Sequence, residues 1–305
     1  MNVAAVDLGT NSIRLLATDA AGVVLARRAD VTGLGRGLHT TSRLSPDGRA
    51  ATLAVLRDHR RRLDELGVGV GTGAMRVVAT AAARRAADAD AFLAEAADTI
   101  GAPVEVLTGD AEARLSFAGA TADLDPVDGT TLVVDIGGGS TELAVGTTSV
   151  DAAFSVDLGC VTLTDADLAG DPPRPEELTN AIGAAADAFA DAWVREPALR
   201  SADRLVGVGG TITTLGAVEL GLHTYDRDLV HGLVLERAVV EEVFRTLATE
   251  RLADRVHNPG LPADRAGVIV GGLCLLVALM RHLPADELRV ADADLLDALA
   301  ASLRT

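Results

Sequence analysis

Two short stretches, far apart in this 305-residue chain, share the pattern D-[LI]-G-x-x-S-x-x-L. The first reads Asp7-Leu8-Gly9-Thr10-Asn11-Ser12-Ile13-Arg14-Leu15; the second reads Asp135-Ile136-Gly137-Gly138-Gly139-Ser140-Thr141-Glu142-Leu143. Each follows an apolar run and precedes a β-like run, so each reads as strand, tight turn, strand. One D-x-G after a strand is compatible with a plain hairpin. The recurrence points to a duplicated unit, and it is joined by a third glycine turn, Val206-Gly207-Val208-Gly209-Gly210-Thr211. Glycine turns expose backbone N–H groups and let a phosphate approach them closely, and the neighbouring hydroxyls add donors. Gly9, Thr10, Asn11 and Ser12, with Gly137, Gly138, Gly139 and Ser140 and with Gly209, Gly210 and Thr211, are therefore read as phosphate-binding. Asp7 and Asp135, at the two strand ends, are placed to hold Mg²⁺ or another divalent cation, usually through water.

Around these turns, strands alternate with helical patterns. Strands are expected at 2–6, 13–18, 23–28, 76–80, 104–108, 131–135, 204–208 and 288–290, with helices at 46–66, 82–100, 109–119, 175–194 and 294–303 and a helical region over 234–283. This alternation predicts an α/β fold. The polar stretch 123–129 marks the expected junction, dividing the chain into residues 1–123 and 124–291, with the last helix (292–305) returning to the first part.

Composition narrows the function. A net charge of −17 argues against nucleic acid or an anionic membrane surface as partner. A phosphate substrate would be repelled as well, so it must be held by a local cradle of amides, a few arginines and a cation. Every basic side chain apart from the histidines is arginine, which excludes a GxxxxGK[ST] P-loop. Cys160 and Cys274 read as buried thiols of a reduced, cytoplasmic protein. The amino terminus lacks a signal-peptide pattern, and the apolar run 266–280 is too short for a membrane span, so a soluble protein is expected. The six histidines show no zinc spacing.

The wording DLGTNSIRLL and DIGGGSTEL, with the later GVGGT, resembles the exopolyphosphatase and guanosine pentaphosphate phosphohydrolase family of the actin-like ATPase superfamily. Similar segments are Leu34-Gly35-Arg36-Gly37-Leu38, the stretch from Val78 to Ala86, Gly109-Asp110-Ala111-Glu112-Ala113-Arg114, His231-Gly232 and Arg265-Ala266. The resemblance implies two actin-like (ribonuclease H-like) domains with a cleft between them. It implies hydrolysis of terminal phosphate from inorganic polyphosphate, with guanosine pentaphosphate or tetraphosphate as alternative ligands and a homodimer as a further expectation. It assigns Glu112 as the group that orients the lytic water, Glu142 as an assisting acid and Arg84 as a phosphate clamp. Read without the family, Glu112 is an acid at a helix start, where the dipole favours it, and Glu142 an ordinary strand residue. Arg14 fits surface placement or phosphate contact equally, and Arg85 is expected in solvent. Gly33 and Arg36 stand where the resemblance calls for Arg and Glu, a displaced positive charge. Ala111, Gly267 and Ala298 also depart from the pattern. A nucleotide-dependent actin-like kinase or ATPase, and a non-hydrolytic polyphosphate or alarmone sensor, are the alternatives.

Overall fold

The protein is described by a computed structural model covering residues 1–69, 71, 73–124 and 129–304. The first half contains β1 (Val3–Leu8), β2 (Ser12–Thr18), β3 (Val24–Val31), α1 (Leu38–Thr41), α2 (Pro46–Glu65), β4 (Met75–Ala79), α3 (Ala81–Arg85), α4 (Ala89–Ile100), β5 (Val104–Val106) and α5 (Gly109–Ala122). The second contains β6 (Thr131–Ile136), β7 (Thr141–Gly146), β8 (Val150–Val156), α6 (Cys160–Asp167), α7 (Pro175–Arg195), β9 (Arg204–Val208), α8 (Gly210–Glu219), α9 (Arg227–Val230), β10 (Val234–Glu236), α10 (Arg237–Thr249), α11 (Leu252–Arg255), α12 (Ile269–His282), β11 (Glu287–Val290) and α13 (Leu295–Ser302).

The strand orders make the duplication physical. The first sheet runs β3-β2-β1-β4-β5 and the second β8-β7-β6-β9-β11-β10. In each, three antiparallel strands are extended by two parallel ones, and the second adds the antiparallel edge strand β10. This order, repeated, is that of two actin-like α/β units. The central strands β1 and β6 are buried at every position, as strands covered on both faces require.

Side-chain alternation sorts those faces. On the second sheet, Leu132 and Val134 join the large core around α7 and α12. Val133, Ala144, Val206 and Val208 face the other way, onto Ala113, Phe117 and Ala120 of α5. On the first sheet, Ala5, Leu16 and Val78 pack on Leu295, Leu296 and Leu299 of α13. The two helices also pack on each other, and Gly119 of α5 lies so close to the Asp294 backbone that a side chain there would collide with it. The last helix thus returns to the first sheet, while α5 packs on the second. Most of the expected junction at 123–129 lies outside the described residues.

Two local expectations are corrected. The helix expected over 82–100 is broken into α3 and α4: Ala86 is extended, the Ala87 amide donates to Ser42 O and Asp88 accepts from the Leu44 amide at 3.0 Å. A loop distant in sequence therefore claims groups that a continuous helix would have used. Within 234–283, β10 precedes the helices, because Val234–Glu236 pairs with β11.

Candidate active site

Asp7 has the parity of Ala5, and Asp135 that of Val133, so both carboxylates project from the faces that carry α13 and α5. Cross-strand register then places Arg14 opposite Asp7 and Glu142 opposite Asp135. Each hairpin closes on the same bond, Gly9 N to Ser12 O and Gly137 N to Ser140 O, both 3.0 Å.

The tips of the two hairpins meet. A Cβ on Gly138 would lie 3.0 Å from the Asn11 nitrogen, and one on Gly139 would lie 2.6 Å from Thr10 Oγ1. A side chain at either position would require the facing hairpin to shift. Among the described residues the amides of Thr10, Asn11, Gly138 and Gly139 donate no hydrogen bond. Thr10 Oγ1 and Asn11 Oδ1 are buried without a partner. The third turn closes the ring: Gly209 has φ +88°, and a side chain there would strike Asp135 Oδ1. Asp7, Glu112, Asp135, both hairpin turns, Arg14 and Gly209–Thr211 all line this one cavity. Of the residues singled out in the sequence, Glu142 and Arg84 lie behind it.

Glu112 enters on the first turn of α5, whose N-cap Thr108 accepts from the Ala111 amide. It is 8% exposed, and its Oε2 accepts from Arg84 Nη1 at 2.6 Å. Burial raises its pKa to about 7 against the opposing pull of Arg84. Arg84 also donates to Leu107 O at 2.9 Å, and its Nη2 lies 3.7 Å from Glu142 Oε1. Arg84 is therefore committed to carboxylates. Glu142, 1% exposed, accepts from Ser155 Oγ at 2.8 Å, while its Oε2 has no hydrogen-bond partner among the described residues. Burial, then the nearby Glu112 and Asp135, push its pKa well up.

Asp7 and Asp135 differ in their supports. Asp7 Oδ2 accepts from Arg14 Nε at 3.0 Å and Nη2 at 2.7 Å, whereas Asp135 Oδ2 accepts from Ser116 Oγ at 2.7 Å. Burial raises both pKa values, that of Asp135 to about 6. Asp7 Oδ1 is buried without a partner among the described residues. Among the described residues no three acidic, histidine or cysteine side chains form a cage. Mg²⁺ does not need one, since it commonly takes one or two carboxylates, its own waters and substrate oxygens. The two aspartates, one with a free buried oxygen, fit that requirement.

Arg14 is held by Asp7 and also pairs with Asp294, the N-cap of α13. Arg85, expected in solvent, instead donates from Nη1 to Gly139 O at 3.2 Å. Three residues not singled out in the sequence belong here, Ser116, Ser155 and Asp294, and so does Arg265, which the sequence placed in a matching segment without assigning it a role. Ser116 stands one helical turn after Glu112, so the i, i+4 spacing was a usable signal. Arg265 lies against Gly210 and lines the cavity. Among the described residues its guanidinium makes no ion pair or hydrogen bond, and burial lowers its pKa. It is the cleft guanidinium left free for an anion. His231 is structural, its Nδ1 accepting from the Asp292 amide at 3.0 Å.

The arrangement of clustered amides, one free guanidinium, two aspartates and a shielded glutamate suits water attack on a bound phosphoryl group. A model described as the Ppx/GppA phosphatase family matches residues 15–299. A protein named Exopolyphosphatase 2 from Mycobacterium tuberculosis is 37% identical, over 99% of this chain and 98% of the relative. Among solved structures, an exopolyphosphatase-like protein superposes with TM-score 0.92 at 30% identity, covering 99% of this chain and 98% of that one. A Ppx/GppA family member from Aquifex aeolicus superposes with TM-score 0.80 at 31% identity, covering 99% and 97%.

Proposed function

This chain belongs to the Ppx/GppA phosphatase family, and from that premise we propose that it is an exopolyphosphatase, releasing terminal phosphate from inorganic polyphosphate. The observation that carries the reading is the meeting of two glycine hairpins whose tip amides have no acceptor among the described residues. Amides of Thr10, Asn11, Gly138 and Gly139 hold the terminal phosphate oxygens, and Arg265 neutralises charge at the Gly209–Gly210 side. Such donors, fixed before substrate arrives, stabilise charge without reorganising.

Glu112 faces the same cavity, and its carboxylate orients the attacking water and takes its proton as the bond to phosphorus forms. Arg84 holds one Glu112 oxygen and thereby fixes the direction of the other. Glu142 completes the cage around Arg84, and Ser155 holds Glu142. Asp7 and Asp135 would hold Mg²⁺ through its waters, and the ion would supply charge neutralisation to the phosphate oxygens. The leaving group is the shortened polyphosphate, an anion stable without a protein acid.

Guanosine pentaphosphate is the second reading, favoured by a specific cavity. A space of about 480 Å³ adjoins the hairpin cavity, and Arg14, Gly209, Gly210 and Arg265 line both. Its wall includes Val31, Pro262, Leu296 and Tyr225, more apolar surface than a bare phosphate chain requires. Orthophosphate release from both substrates, compared at equal concentration, decides between them. Glu112→Gln should stay folded and lose about 10²–10⁴-fold in release from either. Release at the wild-type rate would remove Glu112 from the mechanism.

A further inference from the structure

A second cationic cavity, of about 460 Å³, opens on the first half away from the hairpin cavity and is lined by Arg36, Arg43 and Arg49 together with Ser45 and Asp88. The charges do not cancel. Asp88 serves both Arg43, at 3.5 Å, and Arg49, at 3.4 Å, while also accepting from the Leu44 amide. Glu95 reaches only Arg49, at 3.8 Å. Arg36 makes no ion pair among the described residues, and its side chain lies back over Gly33. Three guanidiniums thus face one cavity in a protein whose net charge is −17. Arg36 also stands where the sequence pattern calls for an acid.

The cavity is connected to the hairpin site by backbone. Thr32 and Gly33 both donate to Asn11 O at 2.9 Å, and Gly35 donates to Thr10 O at 2.8 Å. The loop that carries Arg36 is therefore bonded to the tip of the first phosphate hairpin. Val31 lines the outer cavity next to the hairpin site, and it precedes Arg36 by five residues, a separation of at most about 18 Å even for extended chain. A linear polyanion with its end in the hairpin cradle can cover such a distance.

We propose that this arginine cavity is an exosite for the distal phosphates of a long polyphosphate chain, so that chain length is read at Arg36, Arg43 and Arg49 and not at the hairpins. The inference rests on the exopolyphosphatase reading and extends it. Arginine suits the task because its planar donors bind phosphate oxygens in pairs and it stays charged. The site raises affinity for long chains by adding a second point of attachment, and it leaves a substrate too short to reach it unaffected.

The test compares tripolyphosphate with long-chain polyphosphate in the wild type, in Arg36→Ala/Arg43→Ala and in Arg36→Glu. Arg49 is left intact because it also packs over the Phe92 ring. The expected result is a KM for the long chain raised about tenfold in the double variant and further in Arg36→Glu. For tripolyphosphate, kcat and KM should stay within about twofold of wild type. Equal losses on both substrates, or no loss on either, would overturn the exosite while leaving the exopolyphosphatase reading in place. Wild-type protein that releases phosphate from neither substrate would sink that reading, and the exosite with it. Thermal unfolding of each variant, expected to match wild type, separates lost binding from lost fold.

Discussion

The two hairpins share one backbone and carry opposite charge at the matched position. Opposite Asp7, in the first, stands Arg14; opposite Asp135, in the second, stands Glu142. The first pair is a salt bridge, tied further to Asp294. The second places like charges directly across two strands, an arrangement that costs energy unless something relieves it. Ser116, Ser155 and Arg84 provide part of that relief, and the raised pKa values of Asp135 and Glu142 provide the rest by favouring protonation. Duplication built two equal grips, and divergence made one electrostatically settled and the other acidic. We assign anchoring to the first and chemistry to the second.

Substitution at the matched position should separate these roles. Arg14→Gln removes the partner of two carboxylates and should destabilise the protein by about 3 kcal/mol, read by denaturant unfolding. An unchanged midpoint would mean that Arg14 is no anchor. Glu142→Gln keeps the shape and removes the titratable proton. It should leave stability near wild type and lower kcat about 100-fold; full activity would place the chemistry elsewhere.

The acidic half should also govern pH dependence. In the proposed mechanism Glu112 works as a carboxylate, and burial lifts its pKa to about 7. The ionised fraction falls below that value, so kcat/KM should drop about tenfold per unit as pH falls well under 7. A flat profile down to pH 5 would contradict the assignment. Stability runs the opposite way. Asp135 is raised from 3.8 to about 6, so between these values the folded protein binds protons that the unfolded chain has released. Stability from this group is fully present below about pH 4 and is lost as pH rises through about 6. In the absence of divalent cation, Asp135→Asn should therefore stabilise the protein at pH 8, by about 1–3 kcal/mol. Its asparagine oxygen still accepts from Ser116. Destabilisation would show that the carboxylate is not strained.

Much of this was legible in the sequence, and for a physical reason. Hairpins are local, so the spacing of Asp7, Gly9 and Ser12 and of Asp135, Gly137 and Ser140 carried the motif and its duplication. Aligning the copies already set Arg14 against Glu142. What was not legible depends on partners distant in sequence. The break at Ala86–Asp88 is made by groups at Ser42 and Leu44. β10 is three residues long, too short for a periodicity, and exists because β11 pairs with it. The commitment of Arg84 to Glu112 depends on α3 and α5 meeting. The i, i+4 relation of Glu112 and Ser116 was visible, but its meaning required Asp135 to lie beneath that face.

In the proposed mechanism both hairpins hold the same phosphate. Amide hydrogen exchange on folded Glu112→Gln protein, with and without tripolyphosphate and Mg²⁺, addresses it directly. Peptides containing Gly9–Ser12 and Gly137–Ser140 should become protected together, at the same ligand concentration. Protection of one hairpin while the other exchanges as in the free protein would contradict it.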